Sequence, residues 1–186
     1  AKDPTEPVLW QCWMVLASRA NGLALRAKDP ALLARSVEEM YTVAEAGLKA
    51  LAAQRWDFMP GATELLILSD HIEEAKNCIA QMQQKDIAPQ VTPYLEGLVA
   101  DREGRLRDAI ADWRKASALG YRHPAVRRML ASALARLGDT QSAIGELRIL
   151  LTDDTDNLDG HVALAQLLVQ TSEWKEAQDQ ALEAQR

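Results

Sequence analysis

The sequence predicts an all-α protein assembled from antiparallel helix pairs, and three observations carry that expectation. Composition is the first: 48% of the 186 residues are apolar and only 5% aromatic, with Ala and Leu abundant, a balance that favours helix over sheet. The second is spacing, because apolar side chains recur at helical intervals through most of the chain. The third is repetition at a constant offset of 34 residues. It carries Ala75 to Ala109, Ala143 and Ala177, Gly104 to Gly138, and Ile110 to Ile144, and IEEA ending at Ala75 echoes WKEA ending at Ala177.

The stretch from Gln90 to His123 shows what repeats. Gly97 and Ala109 would let two backbones approach, Gly104 suits the left-handed residue that ends a first helix, and Trp113 and Ala116 lie three apart on a second. A helical hairpin with one packed seam is expected there. From about Trp56 to Arg186 the chain resembles the tetratricopeptide repeat family, which keeps a small residue at the eighth place of each unit, Ala at the twentieth and a large apolar residue at the twenty-fourth. Thr63, Gly97, Ala131 and Ala165 stand at the eighth place, and Ile79, Trp113, Leu147 and Ala181 at the twenty-fourth. The resemblance implies a right-handed superhelical solenoid of about ten helices. It departs from the family pattern at the unit ends, where Ile87, Tyr121 and Thr155 replace the usual Pro, and at two turns, where Asp70 and Ser172 replace Gly.

Taken in order, residues 1–7 carry two prolines and mixed charge and read as a frayed lead-in. Val8, Leu9, Cys12, Trp13, Leu16, Ala20, Leu23 and Ala24 then follow helical spacing, and Trp10 and Trp13 share a face. Asp29 is placed to cap a second helix with Pro30 at its first position, and Leu33, Val37, Met40, Ala44, Leu48 and Leu51 continue the stripe. This long hairpin, 1–55, falls outside the 34-residue register and reads as a degenerate repeat or a cap. Four units follow: 56–89, with helices from Pro60 to Ser69 and from His71 to Lys85; 90–123; 124–157, where Gly138 and Asp139 supply a stop and a cap in adjacent residues; and 158–186, whose second helix has no polar capping helix behind it. Trp113 and Trp174 are both expected in the core.

Several function classes find no support. No run of about 18 uninterrupted apolar residues suggests a membrane span, and a net charge of −6 argues against general nucleic-acid affinity. There is no Ser-His-Asp set, Gly-rich phosphate loop or CxxC pair, so neither an enzyme nor a bound cofactor is expected. Cys12 and Cys78 read as buried thiols. His71, His123 and His161 share no metal spacing, and the Asp153, Asp154, Asp156 and Asp159 loop lacks the Gly and the final Glu of a calcium loop; these carboxylates are expected to cap and charge the next helix. The first residue is Ala1 and no signal-like segment follows, which suggests a trimmed or processed chain and leaves the compartment unread.

What remains is recognition. In the family, the second, fifth, ninth and twelfth places of each unit line a concave groove, and the resemblance assigns to it Asp57, Pro60, Glu64 and Ile67, then Val91, Tyr94, Leu98 and Asp101, then Ala125, Arg128, Ser132 and Ala135, and finally Asp159, Val162, Gln166 and Val169. A basic bias accompanies this set: residues 101–136 hold nine Lys or Arg against four Asp or Glu, a local +5. Arg122, Arg127, Arg128 and Arg136 could therefore recognise an acidic segment through bidentate pairs. Glu64, Tyr94, Leu98, Asp101, Arg128, Ser132, Arg136 and Gln166 are the candidate partner-binding residues. The Lys and Asn clamp used by chaperone adaptors of the family is absent, since Pro60, Tyr94, Arg128 and Val162 fill the fifth place and Glu64, Leu98, Ser132 and Gln166 the ninth. The expected function is a protein-protein interaction scaffold within a larger multiprotein system, binding a peptide or helix of its partner. The alternatives are a homo-oligomerisation module and a docking arm of a larger enzyme.

Overall fold

Nine α-helices and no strand make up the described residues, 29–51 and 59–185 of a computed structural model. The expectations for the helix from Val8 to Ala24, for Trp10, Cys12 and Trp13, and for Trp56 and Asp57 lie outside the described residues. The chain divides into two compact units between Arg102 and Glu103, so the 90–123 stretch contributes one helix to each.

The first unit holds α1 (Pro30–Leu51), α2 (Met59–Leu68), α3 (Ile72–Gln84) and α4 (Thr92–Arg102). The Asp29 carboxylate caps α1 as its sequence position suggests, accepting from Ala31 N at 2.9 Å and Leu32 N at 3.2 Å, with Pro30 at the first helical position. In the packing, α2 lies against α1, α3 and α4, and α3 also packs on α4. Ala75, Cys78, Ile79 and Met82 form the buried stripe of α3. Thr63, at the small-residue place of α2, is fully buried because its hydroxyl is satisfied within its own helix, donating to Met59 O at 2.7 Å.

The second unit holds α5 (Leu106–Ala118), α6 (Pro124–Arg136), α7 (Thr140–Asp153), α8 (Leu158–Gln170) and α9 (Trp174–Glu183), each packed on the next in chain order. Trp113, Leu130, Ile144, Leu147 and Leu164 fill its core. The seam is tight where α7 meets α8, because a Cβ on Gly160 would sit 3.0 Å from Leu151 Cδ2. Asp139 caps α7 as expected, its Oδ1 accepting from Ser142 N at 3.2 Å, and His123, not anticipated from the sequence, caps α6 with Nδ1 accepting from Ala125 N at 3.2 Å ahead of Pro124.

The repeat is visible in the backbone. Asp70, Gly104, Gly138 and Ser172, one repeat length apart, all adopt positive φ, at 67°, 77°, 83° and 64°. Ala75, Ala109, Ala143 and Ala177 are all buried. Two expectations are corrected. Trp174 is 63% exposed while Trp113 is 1% exposed; Trp174 opens its helix, and the matching residues Ile72, Leu106 and Thr140 are also only half-buried. The cap of α8 is Asn157, accepting from Gly160 N at 2.8 Å, rather than one of the neighbouring aspartates.

Candidate partner-binding groove

On α6, Arg128, Ala131, Ser132, Ala135 and Arg136 fall at helical intervals on one stripe, because side chains three and four apart stand above one another. Ala163, Gln166, Leu167 and Gln170 make the corresponding stripe on α8. Between them lies a groove of about 470 Å³ whose floor includes Leu147 of α7. Small side chains on both helices leave the space open, and no carboxylate is among the lining residues. Arg128 and Arg136 are two turns apart, about 12 Å along the axis. Val162 and Val169, 41% and 46% exposed, flank Gln166 on α8 and extend the apolar surface beside the groove.

Arg128 is held from within the same unit: its Nη1 donates to Asp159 Oδ2 at 2.9 Å, from the first turn of α8. Arg127, half-buried one residue earlier, turns the other way and donates to Glu146 Oε2 at 3.0 Å, with Asp153 Oδ2 3.7 Å from its Nε. It lines a separate cavity of about 270 Å³ together with Tyr121, Arg122, His123, Asp153 and Asp154. The basic bias read from the sequence is thus divided: Arg128 and Arg136 face the groove, while Arg122 and Arg127 belong to a cavity that also carries acidic side chains.

The structure brings together four of the eight expected residues, Arg128, Ser132, Arg136 and Gln166. Glu64, Tyr94, Leu98 and Asp101 belong to the first unit. There Tyr94 is 2% exposed and donates its hydroxyl to Glu64 Oε1 at 2.8 Å, and Leu98 is buried beside it in α4, so both are core side chains rather than an open contact face. Ala163, Leu167 and Gln170 were missed because they lie one step around α8 from the places carried over by resemblance. The Asp159 contact had no local signal, since it spans two helices.

Other chemistry is sparse. Among the described residues no group of three or more His, Cys, Asp or Glu is placed to hold a metal ion, and no helix is long and apolar enough to cross a membrane. Burial pushes the Cys78 thiol above its ordinary pKa, which disfavours the reactive thiolate. The buried His161 places Nδ1 2.7 Å from Gln180 Oε1 and Nε2 2.8 Å from Thr155 O, joining α9 to the loop before α8.

No protein-family model and no curated protein sequence matches the chain. Solved structures do. A crystal structure of MamA superposes with a TM-score of 0.64 at 14% identity, covering 84% of this chain and 92% of that one. MamA from Desulfovibrio magneticus RS-1 gives 0.63 at 13% identity, covering 92% and 93%. YrrB, described as a TPR protein with an unusual peptide-binding site, gives 0.57 at 18% identity, covering 82% and 79%. The fold is that of the tetratricopeptide-repeat proteins. On the register expected from the sequence, Arg128 stands at the fifth place of its unit and Ser132 at the ninth, and Arg128 pairs with Asp159 from α6 to α8.

Proposed function

We propose that the protein is an interaction scaffold whose second unit receives a carboxylate-bearing segment of a partner protein in the groove between α6 and α8. The observation that carries this reading is the lining itself: an apolar floor of Ala131, Ala135, Ala163 and Leu167, two arginines, two glutamines and no carboxylate. Arginine forks pair with carboxylates bidentately, and the glutamine amides can hydrogen-bond a peptide backbone. Helices rather than loops present every one of these groups. The surface is therefore ordered before the partner arrives, and most of the entropic cost of association falls on the incoming segment. The peptide-binding site named for YrrB is consistent with this use of the fold. Recognition of this kind would place the protein as one component of a multiprotein system, acting without chemistry of its own.

Fluorescence anisotropy tests the reading with two labelled peptides, one alternating Leu and Glu and the other alternating Leu and Gln. The full chain is expected to prefer the Leu/Glu peptide, and Arg128→Glu to abolish that preference. The thermal melt should barely move, since an exposed ion pair is worth only about 0.2–1 kcal/mol. Equal affinity of the wild type for both peptides would reject the proposal.

A further inference from the structure

The groove's key cation is not idle in the unbound protein. Arg128 already donates to a carboxylate, Asp159 Oδ2, across the gap from α6 to α8 at 2.9 Å. A single N–H makes this contact, so the rest of the guanidinium fork is left to other acceptors, and both side chains are partly exposed. An ion pair of this kind is weak and readily exchanged. Asp159, which the resemblance assigned to the groove, is not among its lining residues, yet it pairs with Arg128, which is.

We infer that Asp159 is a built-in stand-in for the partner's carboxylate: it aims Arg128 while the groove is empty and is displaced when an acidic segment binds. This rests on the reading of the groove proposed above. Two consequences separate it from a merely structural ion pair. A ligand carboxylate must compete with Asp159, so the aspartate lowers affinity for acidic segments and leaves affinity for neutral ones unchanged. Asp159 also holds the guanidinium in place, so a longer carboxylate at the same position should preserve the wild-type behaviour.

The test uses the full chain, the Leu/Glu and Leu/Gln peptides, and the variants Asp159→Asn, Asp159→Glu and Arg128→Gln, each checked by its melting curve. Asp159→Asn is expected to tighten the Leu/Glu peptide by up to about fivefold, the worth of one exposed ion pair, with the Leu/Gln peptide unaffected. Asp159→Glu should bind as the wild type does, and Arg128→Gln should weaken the Leu/Glu peptide alone. If Arg128→Gln weakens binding while Asp159→Asn leaves it unchanged or weaker, the stand-in role is overturned and the groove reading survives. If neither the wild type nor any variant distinguishes the two peptides, the groove reading fails and the stand-in role falls with it.

Discussion

Asp70 and Gly138 hold the same backbone shape two repeat lengths apart, with φ of 67° and 83°. In each turn the next residue closes the helix end: His71 N donates to Leu66 O at 2.8 Å, and Asp139 N donates to Leu134 O at 2.9 Å. The 6→1 bond from the residue after a left-handed position satisfies a carbonyl that the helix end would otherwise leave open. Ser172, at φ 64°, repeats the arrangement through Glu173 N and Leu168 O at 2.9 Å.

An L side chain in the left-handed region costs roughly 1 kcal/mol, and Asp tolerates it better than most. Asp70→Gly and Ser172→Gly should therefore be neutral to stabilising by up to about 1 kcal/mol, while Gly138→Ala should destabilise by a similar amount. A Cβ on Gly138 would meet nothing within 4 Å, so the loss would come from the backbone alone. Urea denaturation measures all three, and an unaffected Gly138→Ala would show that the turn does not need its positive φ.

The two tryptophans at the second-helix places should behave oppositely. Removing the buried Trp113 side chain leaves a cavity, so Trp113→Ala is expected to cost about 3–5 kcal/mol. The exposed Trp174 can be replaced by Ala at little cost, within about 0.5 kcal/mol. Chemical denaturation of both variants checks the contrast, and equal losses would mean that Trp174 is packed.

Asp112 gives a pH dependence with a definite sign. Burial raises its carboxyl pKa, and the nearby Lys115 only partly offsets this. A carboxyl with a raised folded pKa holds its proton more tightly in the folded chain, so ionisation weakens the fold as pH rises through that value. Asp112→Asn should melt above the wild type at pH 7, and the gap should close below about pH 4, where the wild-type carboxyl is protonated in both states. A gap independent of pH would assign the effect to something other than ionisation.

Much of the fold was legible because its signals are local. The Asp29 cap, the Gly104 and Gly138 turns and the buried alanines at 75, 109, 143 and 177 depend on a few neighbouring residues and on a fixed offset. Asp70 and Ser172 filled glycine places, yet the surrounding helices imposed the same turn on them. The groove was half legible. Arg128, Ser132, Arg136 and Gln166 came together because regular helices carry a repeat register faithfully into space. Tyr94 and Leu98 occupy equivalent places but are buried, since exposure depends on what packs over a helix rather than on the helix's own sequence. Trp174 misled for the same reason: the repeat register suggests a seam position, but at the start of its helix it is left exposed. The Arg128 and Asp159 contact joins side chains on separate helices, a distance that sequence spacing does not encode.

Amide chemical-shift mapping of the isotope-labelled chain, titrated with the Leu/Glu peptide, tests the central claim most directly. The largest shifts are expected along Arg128–Arg136 of α6 and Ala163–Gln170 of α8, and a higher peptide concentration should be needed to reach them when Glu is replaced by Gln in the peptide. Shifts centred instead on Arg148 of α7 and Trp174 of α9, or none at saturating peptide, would contradict the assignment of the groove as the binding surface.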